Sequence, residues 1–347
     1  GVLYSVTGTL NMADMALRVA AMPAEDTALL RVGAVLLMLV FAIKAALVPL
    51  HFWLPSTYAN APGPVAALFA IMTKVGVYGI IRFFTLVFPQ DAVTQSVVAD
   101  LLLPAALFTL AIGQVGILGT RHLGRLAAFA AIGSIGTLMI AVAQFTPQGT
   151  SAAVYYLVHS TLAAGALFLV MDMIGARRGD LWLRLDRVMP GNGLVAALYF
   201  VAAIAVVGMP PFSGFVGKLL VMQATGGAPA MVWIWAIILI TSLVAIYALS
   251  RAGTILFWKS FELGLAPVPP AAAAAGPKLE PDEPVQDLGD APANWLAVAS
   301  VVLLLSGIVA LTAFAGPAMR LAEATAAQLH DPDAYVSAVL EGQEGTK

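Results

Sequence analysis

Three lysines stand inside apolar stretches of this sequence: Lys44 in FAIKAALVPLHFWLP, Lys74 in FAIMTKVGVYGIIR and Lys218 in GFVGKLL. A charged side chain at the centre of a bilayer-spanning helix costs about 2.5–3.5 kcal/mol on insertion scales, and neither solubility nor folding asks for it. Burial penalises the charged form of an amine, so a lysine held there can take up and release a proton where a solvated one stays charged. A row of such groups joined by water can hand protons laterally. The chemistry these residues suit is the movement of protons or cations across a membrane. Snorkelling is the plainer alternative, with the long stem carrying the ammonium to the interface. It explains Lys259 and Arg82, near the ends of their stretches. It explains Lys44 and Lys74 poorly, because they lie about 16 and 12 residues into theirs.

His159 stands in mid-stretch in YYLVHSTLAAG. A neutral imidazole both donates and accepts and titrates near physiological pH, which suits a proton relay; a histidine bonded to a neighbouring helix carbonyl is the bland alternative. Asp172 reads as structural, with Arg177 or Arg178 as its counter-ion. His51 and Trp53 read as interfacial anchors, and His122 as a solvated loop residue. No intramembrane carboxylate stands out to pair with Lys44, so its acidic partner is expected on a helix or subunit outside this chain. There is no cysteine, which excludes disulfides, a thiolate nucleophile and a cysteine-bound iron–sulfur site. The four histidines have no metal-ligand spacing. No metal or other cofactor is expected. Without a nucleotide loop, a G-x-S-x-G or a triad, the chain does not read as a self-contained enzyme.

The elements that must position these residues are membrane helices. Hydrophobic residues make up 61% of the chain and charged ones 10%, against about 25% charged in an ordinary soluble domain. The 17 basic and 19 acidic residues nearly cancel, so no nucleic-acid partner is indicated and the partner surface is the lipid bilayer. On the rule that a span needs about 20 apolar residues, eight spans are expected, at 29–53, 62–88, 100–119, 124–146, 151–175, 193–225, 230–258 and 293–315. The fold class is all-α and polytopic. Residues 1–28 read as the end of a preceding span and an interfacial segment. The Pro-, Ala- and acid-rich stretch within 259–292 reads as a disordered cytoplasmic linker, and 316–347 as a C-terminal tail. The chain begins at Gly1 without a visible signal peptide, and is expected to be a piece of a longer protein lacking its N-terminal part.

Proline marks two of these spans, the first through Pro49 and the sixth through Pro210 and Pro211. Each removes a backbone hydrogen bond and crowds the preceding turn, so both spans are expected to be broken near mid-membrane, where freed backbone is tolerated only against protein or water. The breaks lie five spans apart and thus in opposite orientations, as an inverted repeat requires. The loops after the third, fifth and seventh spans hold Arg121, Arg125, Arg177, Arg178, Arg184, Arg187, Lys259 and Lys278. By the positive-inside rule they are cytoplasmic, which puts the C-terminus outside.

The segment FAIKAALVPLHFWLPSTYANAPGPVAALFAIMTKVGVYGIIR (41–82) and the motif GMPPFSGFVGK (208–218) resemble the proton-translocating, antiporter-like subunits shared by respiratory complex I, membrane-bound hydrogenases and Mrp-type sodium/proton antiporters. KAALVPLHFWLP with TKVGVYGIIR is most similar to the D-type subunit of the Mrp group. The resemblance runs to about residue 258. It implies a 14-helix inverted-repeat fold, of which this chain supplies the seventh to fourteenth helices, and an antiporter-like core at 29–258. By the same resemblance Lys44 is the lysine of the first broken helix, Lys74 the connecting lysine and Lys218 the lysine of the second broken helix. The family pairs the first with a glutamate on its fifth helix, ahead of Gly1. The resemblance implies a membrane subunit of a Na+/H+ antiporter working with other membrane subunits on protons and Na+. The alternative is a proton-pumping arm of an NADH:quinone oxidoreductase or hydrogenase. There are departures. His122 and Gly124 stand where the family has an acid and a lysine. Ala164 stands five residues after His159, where a lysine is frequent, so the polar row is thinner here or filled by water.

Overall fold

The computed structural model describes residues 1–23, 27–88, 93–185, 188–189, 191–259 and 295–344. Arg187, Lys278, Lys347 and nearly all of the expected linker lie outside the described residues. Those described are helical, with no strand among them beyond one bridge between His122 and Trp182. Two short helices open the chain, α1 (Val2–Thr7) and α2 (Met12–Ala20). They are followed by α3 (Ala28–Ala45), α4 (Trp53–Ala59), α5 (Gly63–Leu86), α6 (Val93–Gly119), α7 (Leu123–Val142) and α8 (Pro147–Arg178). Next come α9 (Asn192–Val207), α10 (Ser213–Ala224) and α11 (Met231–Gly253), which runs on through a π-turn at Thr254–Trp258. The last three are α12 (Trp295–Ala313), α13 (Ala315–His330) and α14 (Asp333–Glu344).

Among the described residues seven helices are long and apolar enough to cross a membrane: α3, α5, α6, α7, α8, α11 and α12. The chain is a multi-pass membrane protein. The sixth expected span is instead the shorter pair α9 and α10, parted at 208–212. α6 starts at Val93, well ahead of the expected residue 100. α7 is the central pillar, with 83% of its apolar window buried, against 17% for α12 at the rim. α6 packs closely on it because Gly113 lies against the Gly133 backbone, where a Cβ would come within 2.3 Å of the nitrogen.

Both breaks are made in the same way. α3 ends at Ala46 (φ 58°) and α9 at Gly208 (φ 76°), each in the left-handed region. In each, the following amide reaches back five residues, Leu47 to the Ala42 carbonyl and Met209 to the Ile204 carbonyl. This is a Schellman cap, after which proline commonly follows. The Val48–Pro49 and Pro210–Pro211 peptides are cis. Pro104 lies inside α6, which continues through it. The contrast corrects the expectation that proline itself makes the breaks: the left-handed residue has already ended the helix when the proline arrives.

Candidate functional site

The end of α9 is the centre of the site. The last carbonyls of a helix have no intrahelical partner and carry the negative end of its dipole. Lys218 meets them from α10. It is 8% exposed, and its Nζ donates to the Val207 carbonyl at 2.7 Å and to Ser242 Oγ on α11 at 2.7 Å. Ser242 in turn donates to the Ile238 carbonyl at 2.7 Å. A helix end and a hydroxyl thus do for this ammonium what a carboxylate would otherwise do. Gly208 permits the approach, since a Cβ on it would lie 3.2 Å from Lys218 Cδ.

His159, 1% exposed, projects from α8 into the same break. Its Nδ1 lies 2.9 Å from the Oγ of Ser213, the first residue of α10. Its other nitrogen faces the Ala205 carbonyl in the last turn of α9. A Cβ on Gly214 would come within 2.6 Å of His159 Nε2 and 2.7 Å of the Ala205 oxygen, so only glycine fits. Tyr156, one turn away, packs with ring centroids 5.7 Å from the histidine. Beside them is a cavity of about 10 Å³ lined by Ser134, Tyr156, His159, Ser160 and Ala164, among others. That is room for about one water, and it lies where the sequence lacks a lysine at 164.

Lys74 is 3% exposed, and its Nζ has no hydrogen-bond partner among the described residues. It sits in an apolar groove of about 410 Å³ between α5 and α8, with Ile71, Tyr78 and Leu162. His159 lies within electrostatic reach of both Lys218 and Lys74. Three of the four expected polar groups are thus buried, a row with His159 and Lys218 at the α9–α10 break and Lys74 between α5 and α8.

Lys44 differs. It lies in the last turn of α3 but is exposed, so the expectation that it is buried does not hold within this chain. It shares the outward face of α3 with Leu36, Val40 and Ile43, while Leu30, Ala34, Met38 and Ala42 pack inward. Around it the break is well held. Thr109 Oγ1 on α6 accepts the Val48 amide at 2.9 Å, and Trp53 Nε1 donates to the Ile43 carbonyl at 3.0 Å. Trp53 thus caps the end of α3.

Asp172 accepts the Gly63 amide at 3.0 Å, capping the start of α5. His122 is no free loop residue: its Nδ1 caps α7 at the Arg125 amide, 3.4 Å, and its ring meets Trp182 edge-on at 5.4 Å. Sequence reading missed Ser213, Ser242, Thr109 and the α9 carbonyls. Ser213 follows a Pro-Pro pair at a helix start, a usable signal. Ser242 in ITSLVA carries none, because a mid-span hydroxyl commonly satisfies itself on its own helix.

A family model described as "NADH:quinone oxidoreductase/Mrp antiporter, TM" matches residues 1–246. A probable K(+)/H(+) antiporter protein of the D type from Rhizobium meliloti (strain 1021) is 33% identical, across 97% of this chain and 64% of that protein. The D-type protein of the Na(+)/H(+) antiporter of Bacillus subtilis (strain 168) is 34% identical, across 98% of this chain and 64% of that protein. The chain therefore spans about 64% of the length of these curated relatives. Among solved structures, a chain of the Mrp complex from Dietzia sp. DQ12-45-1b superposes with a TM-score of 0.77 at 27% identity, covering 98% of this chain and 66% of that one. A chain of respiratory complex I from Thermus thermophilus with bound NADH gives 0.70 at 27% identity, covering 95% and 64%.

Proposed function

The chain belongs to the NADH:quinone oxidoreductase/Mrp antiporter membrane family, and we propose that it acts as a proton-translocating subunit of a multisubunit monovalent cation/proton antiporter. The observation that carries this reading is the set of three buried groups Lys74, His159 and Lys218, the last two meeting at the broken helix pair and Lys74 seated between α5 and α8. Its partners are other membrane subunits, protons and Na+ or K+, the cations in the names of the two curated relatives. It works in the cytoplasmic membrane of a bacterium, with the arginine-rich loops inside and the C-terminus outside. The relatives named as antiporter subunits favour a transporter subunit over an enzyme.

Each residue has a distinct part. Lys74 Nζ, with no acceptor holding it, passes a proton to and from the interior of the row. His159 accepts at one ring nitrogen and releases from the other, held between Ser213 Oγ and the Ala205 carbonyl. Lys218 receives the proton where the α9 carbonyls and Ser242 favour its ammonium, and exchanges it with one side. Lys44 switches charge against a carboxylate contributed from outside this chain; Pro49 follows the end of α3, and Pro210 and Pro211 follow the end of α9, whose Val207 carbonyl meets Lys218. A redox-driven pump is the second reading, favoured by the superposition on the complex I chain.

The test uses everted vesicles carrying the assembled complex with the full-length subunit, energised by an unrelated respiratory substrate. Added Na+ or K+ should collapse the pH gradient, and Lys218→Ala should remove that response while the complex still assembles. A wild type that answers neither cation, but acidifies the lumen when given a redox substrate of its own complex, would replace the antiporter with the second reading.

A further inference from the structure

Where α8, α10 and α13 meet, on the side of the fold opposite the arginine-rich loops, there is a cavity of about 290 Å³ with no part in the row described above. Gln148 and Ser151 of α8, Leu220 and Gln223 of α10, and Met319 and Glu323 of α13 are among its walls. Met319, Glu323 and Ala327 recur every four residues, so one face of α13 forms the roof. The roof is tied down at its far end, where His330 Nε2 lies 2.9 Å from Thr150 Oγ1. The guanidinium of Arg320 lies near Gly316, 3.8 Å from the position of a Cβ there, on the side of that arginine away from Glu323 in the sequence. Glu323 is the charged group in the wall.

Two columns of residues lead inward from this cavity. On α8, Gln148, Ala152, Tyr156 and His159 recur at three or four residues, and on α10, Gln223, Leu220, Gly217 and Ser213 do the same. The columns face each other. Gly217 lies against the Tyr156 ring, where a Cβ would come within 2.7 Å, and the columns end at the 2.9 Å contact of His159 with Ser213. We propose that this cavity is a vestibule that gathers hydrated monovalent cations, with Glu323 as the collecting charge and the Tyr156–Gly217 contact as the barrier between it and the row. The proposal rests on the antiporter reading and adds to it a site on the surface helix α13.

The chemistry fits a hydrated ion better than a bare one. A volume of about 290 Å³ is on the order of ten water volumes, at about 30 Å³ each. One carboxylate with amide and hydroxyl groups around it attracts a cation without stripping its water. Such a site raises the local cation concentration, and salt weakens it.

The lack of cysteine in this chain gives a direct test. In the assembled complex, Gln223→Cys is exposed from the α13 side to a cationic and to an anionic methanethiosulfonate reagent, and labelling of the introduced thiol is followed by mass. The cationic reagent should be favoured over the anionic one by about thirtyfold beyond their ratio on a free thiol, because one unit charge about 4 Å away in water changes each by about fivefold in opposite directions. Glu323→Gln should abolish the preference, Glu323→Asp should keep most of it, and high salt should erase it. A preference unchanged by Glu323→Gln, or no labelling by either reagent, would overturn the vestibule. Labelling needs no transport, so a wild type without antiport would sink the antiporter reading and leave this result standing. In a transporting complex, Glu323→Gln should raise the half-saturating Na+ or K+ concentration severalfold at low salt. An unchanged value would count against the proposal.

Discussion

The two broken helices end in the same backbone motif, yet treat their lysines in opposite ways. At 208–212 the ammonium of Lys218 turns inward onto the Val207 carbonyl and Ser242, and His159 closes the break from α8. At 46–52 the backbone is held by Thr109 and Trp53, while Lys44 is exposed on the outward stripe of α3. The second break encloses its lysine within this chain and the first does not. A helix end can stabilise a cation by its own carbonyls, so a break needs no carboxylate to hold a lysine. What Lys44 lacks is an enclosure. The two breaks should therefore respond differently to the same kind of change.

The largest difference is expected at Gly214, where a Cβ would meet His159, the Ala205 oxygen and the Gly208 backbone at once. Overpacking of this kind costs about 1–3 kcal/mol. Gly214→Ala should lower the unfolding temperature of the complex in detergent and abolish cation-driven proton movement, whereas Val40→Ala, on the outward face of the first break, should leave the unfolding temperature of the isolated subunit almost unchanged. Next comes Ser242→Ala, which takes one of two partners from Lys218. A bond to a charged group is worth about 1.5–3 kcal/mol, less in this partly buried place, and antiport should slow by about threefold to tenfold. If it does not slow, the α9 end alone suffices.

A smaller effect is expected at the first break, where Thr109→Val leaves the Val48 amide without its acceptor. The cost should be about 1–2 kcal/mol of stability, seen in unfolding and absent from the half-saturating cation concentration. The smallest concerns α13, away from both breaks. Burial holds the His330 imidazole below its ordinary value of 6.5. The undocked ring therefore binds a proton more readily than the docked one, so docking is firmest above about pH 6.5 and weakens as pH falls below it. Hydrogen exchange of α13 should quicken on acidification, and His330→Gln should remove the pH dependence.

Much of the fold was legible because long apolar stretches can be satisfied only by helices in lipid, and Pro49 and Pro210–Pro211 point to the broken regions. The mechanism of breaking was not legible. A left-handed Ala46 is improbable from residue type alone, and Pro104 shows that proline does not suffice. Lys74, His159 and Lys218 were legible as polar groups at depth, where each must have a reason to be. Their partners were not, because the α9 carbonyls belong to every sequence alike and Ser242 reads as self-satisfied. The outward position of Lys44 was hidden too. Both faces of α3 are apolar, so nothing in the sequence says which one packs.

The central claim is that an exposed lysine at the first break belongs to the same proton path as the enclosed row. The measurement is the cation-triggered collapse of the pH gradient in everted vesicles carrying the assembled complex with Lys44→Ala, beside a native-gel check of assembly. The expected result is normal assembly with the response lost, as for Lys218→Ala. A full response from an assembled Lys44→Ala complex would contradict the account and confine proton movement to Lys74, His159 and Lys218.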